Sequence, residues 1–262
     1  MIDQLGRHID TTSSFERIVC LVPSQTELLC DLGLQHLLVG ITKFCVHPKN
    51  LKDKIKVVGG TKNVNWETIK SLNPDIVLCN KEENTLEIVQ QLEVFTQVHV
   101  ADIYTLEDCY ELIRDYGTLF SVEKKSQFII EEIQLQVADY KRFIVGRKKA
   151  KVAYMIWKNP WMLAGGETFI HHLLDVAGYV NGFGHMDRYP QVELSDLEKS
   201  GIEVLFLSSE PFPFSLKHKK ELEDLLPNIR IVLVDGEFFS WYGSRLRLAF
   251  EYFKALYTEV NP

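Results

Sequence analysis

Aromatic rings crowd the stretches of this sequence that read as loops. Trp157-Lys-Asn-Pro-Trp161 and Phe239-Ser-Trp241-Tyr242 each follow an apolar run, and Phe44 and Tyr189 stand in further stretches of the same kind. Three of the four tryptophans fall there, where polar residues are the norm. Rings offer broad apolar area with little rotamer entropy to lose, so in loops they suit a bulky ligand with a flat face. The competing reading is that these loops pack on one another or on a neighbouring helix. Arg245, at the start of the last helical stretch, can reach a carboxylate or phosphate on such a ligand, or simply lie in water. Gly165-Gly166 precedes a helix and reads either as a turn or as a helix start that holds an anion.

Residues able to carry out catalysis are harder to find. The sequence has no GxSxG elbow, no P-loop, no GxGxxG after a strand and no HExxH. Cys45 and His47 stand two apart in a loop, which alone makes no nucleophile–base pair. Among His47, His171, His172 and His185, the adjacent pair would point about 100° apart on a helix and cannot easily share one ion. We therefore expect no catalytic residues and no direct protein–metal site.

Charge and composition narrow the classes further. The 262 residues carry a formal charge of -7, and the basic runs (Lys124-Lys125, Arg147-Lys148-Lys149, Lys217 to Lys220) are short and flanked by helical sequence. They read as solvated faces, so nucleic acid is not an expected partner. Five cysteines stand singly (Cys20, Cys30, Cys45, Cys79, Cys109), an odd count without CxxC spacing and thus no disulfide framework. No stretch approaches the roughly 20 apolar residues of a membrane span. The amino terminus shows neither an apolar signal core nor a lipid-attachment cysteine, so the chain as written reads as cytoplasmic. The alternative is a mature or mis-started form of an exported, periplasmic protein.

The elements that must position those rings come in two copies. Trp66 to Cys79 and Ser195 to Ser208 each read as a short amphipathic helix, a break, an acid (Asp75 or Glu203) and an apolar strand. Upstream, Leu28 to Gly33 and Leu173 to Gly178 each read as a helix stopped by glycine. In the first half, strands are expected at Arg17 to Val22, Leu37 to Ile41, Val57-Val58, Ile76 to Cys79 and Val98 to Val100. Lys151 to Ile156, Val204 to Leu207 and Ile231 to Val234 follow in the second. Ser24 with Glu27 three residues on has the form of a capping box. Between the halves, Ile130, Ile133, Val137, Tyr140 and Ile144 step by three and four along Val122 to Val145, a stretch free of glycine and proline. At 1.5 Å per residue that helix spans roughly 35 Å.

The expected fold class is α/β: two Rossmann-like lobes with mainly parallel sheets joined by a single long α-helix. The lobes would occupy 1–120 and 148–262, the helix 121–147. Joined once, they would resist wide hinge motion and leave a cleft for a ligand, beyond the carboxyl ends of the strands.

At these residues the chain resembles the helical-backbone (class III) substrate-binding proteins of ABC importers, and most closely their cobalamin-binding members. The likeness runs from Arg17-Ile-Val-Cys-Leu-Val-Pro-Ser-Gln-Thr-Glu27 through the NPDIVL core of Asn65 to Leu78 and Tyr189-Pro-Gln-Val192 to the last helix. It implies a small-molecule metal chelate as ligand (cobalamin, a ferric siderophore or haem) and ABC transporter membrane subunits as partner. It also implies that Phe44, Trp157, Trp161 and Tyr189 line the cleft, and that Glu67 docks on arginines of the importer. The second docking glutamate of the pattern is Ser195 here, leaving Glu193 or Asp196 beside it to serve, and two tryptophans of the pattern are Thr61 and Asn80. A cytoplasmic enzyme or cofactor-handling factor on the same scaffold is the alternative function.

Overall fold

A computed structural model describes residues 1–12 and 14–261. The chain forms two compact units, one of 1–133 with 242–245, the other of 134–241 with the chain from Leu246 onward.

In unit 1 the apolar runs become five strands, β1 (Ile18–Cys20), β2 (Leu38–Ile41), β3 (Lys56–Val57), β4 (Ile76–Asn80) and β5 (Gln97–Ala101). All pair in parallel in the order β3-β2-β1-β4-β5. Parallel pairing requires crossovers, three of which carry helices α1 (Pro23–Asp31), α2 (Trp66–Ser71) and α3 (Leu86–Leu92); α4 (Leu106–Leu119) follows β5. Val19, Leu21, Ile69, Val77, Leu92 and Val100 lock sheet and helices together.

Unit 2 holds β6 (Lys151–Trp157), β7 (Met162–Leu163), β8 (Val180–Asn181), β9 (Val204–Ser208) and β10 (Arg230–Val234). The order is β10-β9-β6-β7, with β8 also on β6; β7 alone is antiparallel. Its helices are α6 (Phe169–Val176), α7 (Leu194–Lys199), α8 (Leu216–Leu225), α9 (Glu237–Ser240) and α10 (Leu246–Val260). Between α4 and β6 runs α5 (Glu123–Ile144), 22 residues with no interruption, and its expected stripe is buried from Ile130 to Tyr140, with Ile144 half-buried at its end. Ile133 and Tyr140 are fully buried, and Tyr140 Oη donates to Ala177 O at 2.9 Å.

The repeat read from the sequence is a repeat of bonds. Leu32 N and Ala177 N donate four residues back, to Leu28 O and Leu173 O. Gly33 and Gly178, at φ +80° and +78°, bond back to Cys30 O and Asp175 O, and Leu34 and Tyr179 to Leu29 O and Leu174 O. Only the left-handed backbone that glycine tolerates closes a helix this way. Farther on, Asp75 N donates to Arg17 O (2.9 Å) and Glu203 N to Lys151 O (2.7 Å). The two acids accept in return from the backbone at the same place: Asp75 from Glu16 N and Arg17 N, Glu203 from Lys151 N. Arg17 Nη2 reaches Leu72 O and Lys151 Nζ reaches Ser200 O, each at 2.6 Å. Strand register follows suit, Ile18 beside Ile76 and Val152 beside Val204.

Two expectations need correction. Helix α1 has no capping box: Pro23 occupies its first turn, the cap residue is Val22, and Ser24 is buried within the helix. The long helix is also not the only join. α5 is divided between the units after Ile133, and the chain crosses again on either side of Tyr242–Arg245, four residues that belong with unit 1. Polar partners in unit 1 hold them, which helix counting does not foresee.

Candidate functional site

The carboxyl ends of the strands in unit 1 carry Phe44. Its N–H is taken by Thr42 Oγ1 (3.3 Å), and Lys43 N donates to Gly59 O (2.8 Å), so the loop after β2 is fastened to the loop after β3. Gly59, at φ +118°, opens a tight return bridged to Val64. A side chain at Gly60 would press on the Phe44 ring at 3.2 Å. The ring is thus laid over bare backbone and stays 49% exposed. It borders an open groove of about 900 Å³ that also takes in Lys43, Lys62, Trp66 and Glu67. Glu67 is exposed in the first turn of α2, whose start is fixed by Asn65 Oδ1 accepting from Thr68 N at 2.9 Å.

Beyond β4 and β5 the surface is polar. Asn80 is buried, and its Oδ1 accepts from Glu82 N and Glu83 N. Asn84 Oδ1 accepts from Asn80 N, and Asn84 Nδ2 donates to Thr61 O, both at 2.8 Å. Thr61 and Asn80, where the resembled pattern has tryptophans, are therefore stapled by one amide that the sequence reading did not single out. An asparagine four residues after a strand end was the only signal for it. Next to them Lys81 Nζ bonds Asp102 (2.6 Å) and Tyr104 Oη (3.2 Å), and these bonds raise the pKa of the lysine.

In unit 2, Trp157 ends β6 39% exposed, edge-on to Phe212 at 5.7 Å. Trp161 is half-buried, with Lys158 Nζ 5.2 Å from its ring and the same amine paired to Glu221. Val192 N donates to Trp161 O and Leu163 N to Pro190 O, which lays the loop bearing Tyr189 along β7. Tyr189 is half-buried beside the Arg188 guanidinium at 5.9 Å. Trp157, Trp161 and Tyr189 therefore all lie about the end of β6 and its neighbour. Gly165 and Gly166 are a close approach of backbones: a Cβ at Gly166 would meet Gly184 O at 2.6 Å, and α6 starts later, capped by Thr168 Oγ1.

Four sequence-predicted site residues point inward instead. Phe239 is fully buried on α9, ringed by Tyr154, Phe206 and Phe253. A four-residue helix stands where the sequence reads as loop, and it turns that ring into the core of unit 2. Trp241 is buried and donates from Nε1 to Glu210 Oε1 at 3.0 Å. Tyr242 is buried in unit 1, its Oη accepting from Gln25 Nε2 (3.1 Å), while Tyr116 Oη donates to Gln25 Oε1 (2.7 Å). Arg245 is buried and grips Glu27 with two parallel bonds, Nε to Oε2 at 2.8 Å and Nη2 to Oε1 at 2.7 Å. As placed, these side chains are structural, and an arginine so engaged is not presented to a ligand.

Glu210 is a second half-buried carboxylate that the sequence reading missed. Burial pushes its pKa up, the bond from Ser240 Oγ (2.5 Å) pulls it back, and the nearby charge of Glu237 adds to the rise. Glu27 is raised too, burial outweighing the lowering by Arg245. Cys45 is no activated nucleophile. Burial raises its pKa, only partly offset by bonds to Thr26 and Thr42. Burial also raises Cys30 and Cys109, each to about 12. Among the described residues no group of three or more His, Cys, Asp or Glu is placed to hold a metal ion, and no helix is long and apolar enough to cross a membrane. Glu193, Ser195 and Asp196 are exposed at the start of α7, where Asp196 Oδ2 accepts from Glu193 N at 2.9 Å.

Residues 18–229 match the family described as periplasmic binding protein. The chain belongs to the periplasmic binding protein family. Its kinship is with the helical-backbone class of ABC-importer substrate-binding proteins, as the sequence resemblance implied. An uncharacterized ABC transporter substrate-binding lipoprotein of Bacillus subtilis is 29% identical over 62% of this chain, a match spanning only 53% of that relative's length. A vitamin B12-binding protein of Pectobacterium carotovorum is 21% identical over 94% of this chain and 90% of its own. Among solved structures, a periplasmic heme-binding protein from Pseudomonas aeruginosa shares the fold with a TM-score of 0.80, at 19% identity over 92% of each chain. The two-lobed, mainly parallel α/β fold of this family is the one the sequence predicted.

Proposed function

We propose that this protein is a receptor that captures a bulky metal-containing ligand (cobalamin, haem or a ferric siderophore) outside the cytoplasmic membrane and delivers it to an ABC importer. The observation that carries this reading is the exposure of large rings at the carboxyl ends of strands, Phe44 on the loop after β2 in unit 1 and Trp157 as the last residue of β6 in unit 2. Soluble proteins spend apolar surface sparingly on loops, and family membership gives that surface a use. The relatives' printed roles in vitamin B12, heme and ABC transport point the same way. The metal travels as cargo inside the ligand, held through rings and polar contacts rather than by side chains of the receptor.

On this reading Phe44 offers a ligand-facing ring in unit 1, and Trp157, Trp161 and Tyr189 do so in unit 2. Glu67, with Glu193 or Asp196 in place of a carboxylate at Ser195, meets cationic residues of the importer's membrane subunits. Such exposed pairs set orientation and encounter rate more than affinity. The role is binding, not turnover. Titration with cyanocobalamin, hemin and a ferric siderophore, followed by visible spectra and tryptophan quenching, tests it. A Phe44→Ala/Trp157→Ala variant should lose at least about tenfold in affinity for whichever binds, because each buried ring is worth about 1.5–3 kcal/mol. Unchanged affinity in a folded double variant sinks the aromatic-wall reading.

A further inference from the structure

The groove beside Phe44 has an uneven charge. Lys43 and Lys62 line it, and Glu67 is the one acid in its lining. None of the three forms an ion pair among the described residues, whereas Lys81, Lys158 and Lys254 elsewhere are paired with Asp102, Glu221 and Asp139. Lys43 holds its ammonium 5.1 Å from the centre of the Phe44 ring, a cation over an aromatic face that is itself open to solvent. In a chain of net charge -7, two unpaired cations flanking an exposed ring make a local positive rim around an apolar floor.

We infer that the cargo carries carboxylates at its periphery, met by Lys43 and Lys62 while its apolar face lies on Phe44. This rests on the receptor reading above and narrows it: an acidic metal chelate is favoured over one rimmed with neutral amides. The groove, at about 900 Å³, has room for a ligand of that size. The ring supplies area without a preference for charge. The ammonium groups add one, and because they are solvent-exposed that preference weakens as salt rises.

The test compares hemin, its dimethyl ester and cyanocobalamin, with ferric citrate as a non-aromatic acid chelate, against the whole protein and a Lys43→Gln/Lys62→Gln variant. Circular dichroism verifies folding of the variant. The expected result is that an acidic probe binds at least about tenfold tighter than both neutral ones at low salt, and that the preference collapses in the variant. A neutral probe that binds as tightly as the acidic ones overturns the inference, as does a preference that survives in the variant. In either case the receptor reading is left standing. No binding by any probe overturns the receptor reading and this inference together.

Discussion

Unit 1 and unit 2 close their first helices and tie their central strands with the same bonds, yet their strand ends carry different loops. The matched set, from Gly33 and Gly178 to Asp75 and Glu203, lies at helix ends and at the start of strands. It satisfies backbone groups that any such layer must satisfy. The opposite strand ends answer no common requirement. Unit 1 puts a bare ring and free lysines there, and unit 2 a tryptophan pair with its lysine neutralised by Glu221. Duplication preserved the frame and left the loops free to diverge. Even inside the frame one position differs sharply: Glu27 in α1, gripped by buried Arg245, corresponds to His172 in α6.

That asymmetry gives the largest expected effect. Glu27→Ala or Arg245→Ala should each cost about 3–5 kcal/mol, because either change strands a buried charge. Removing both for methionines should cost much less than the sum. Urea unfolding of the two singles and the double decides; additive losses would show that the pair is not coupled. A smaller effect tests the sameness. Gly33→Ala and Gly178→Ala should each cost about 1–2 kcal/mol, the strain of a side chain in the left-handed region. The two losses should agree closely, since the new Cβ meets only the movable end of Lys125 in one case and Ile144 at 3.4 Å in the other. A loss confined to one site would break the equivalence of the two stops.

The smallest effect separates the two half-buried acids. Glu210 has neutral donors, Ser240 and Trp241, where Glu27 has a cation. Its folded pKa lies above the ordinary 4.5, so the native state takes up a proton more readily than the unfolded chain. The destabilising contribution of its charge is fully present above the folded pKa and is relieved as pH falls through it towards 4.5. Glu210→Gln, which keeps the acceptor, should therefore raise the melting temperature at pH 7 and lose that advantage as pH falls towards 4.5. A melting difference that does not vary with pH would show that the carboxyl is not charged in the fold.

Much of the frame was legible because it is written in periodicity and punctuation. The stripe from Ile130 to Tyr140 marked α5 almost to the residue, and the glycines after LLCDL and LLDVA marked two helix ends. The candidate site residues were legible by type; their burial was not. Phe44, Trp161 and Tyr189 are at least partly exposed on loops, and Trp157 is exposed at the last position of β6. Phe239, Trp241 and Tyr242 have the same residue types in a similar setting but turn inward, because the partners that draw them in (Phe253, Glu210, Gln25) are distant in sequence or on an unforeseen turn of helix. Ser24 misled for a simpler reason. Capping chemistry is local, but the proline before it had already begun the helix.

The four residues Tyr242–Arg245 bear on how this chain comes off the ribosome. Unit 1 takes in residues 1–133, yet its Glu27 waits for Arg245, 218 positions further along the chain. Amino-terminal regions ordinarily fold as they emerge. Here the nascent segment must persist with an acid lacking its cation, and Gln25 lacking Tyr242, until residues 242–245 have been made. Cutting the gene after Ile133 would make that waiting state permanent, so the two halves are not exchangeable cassettes.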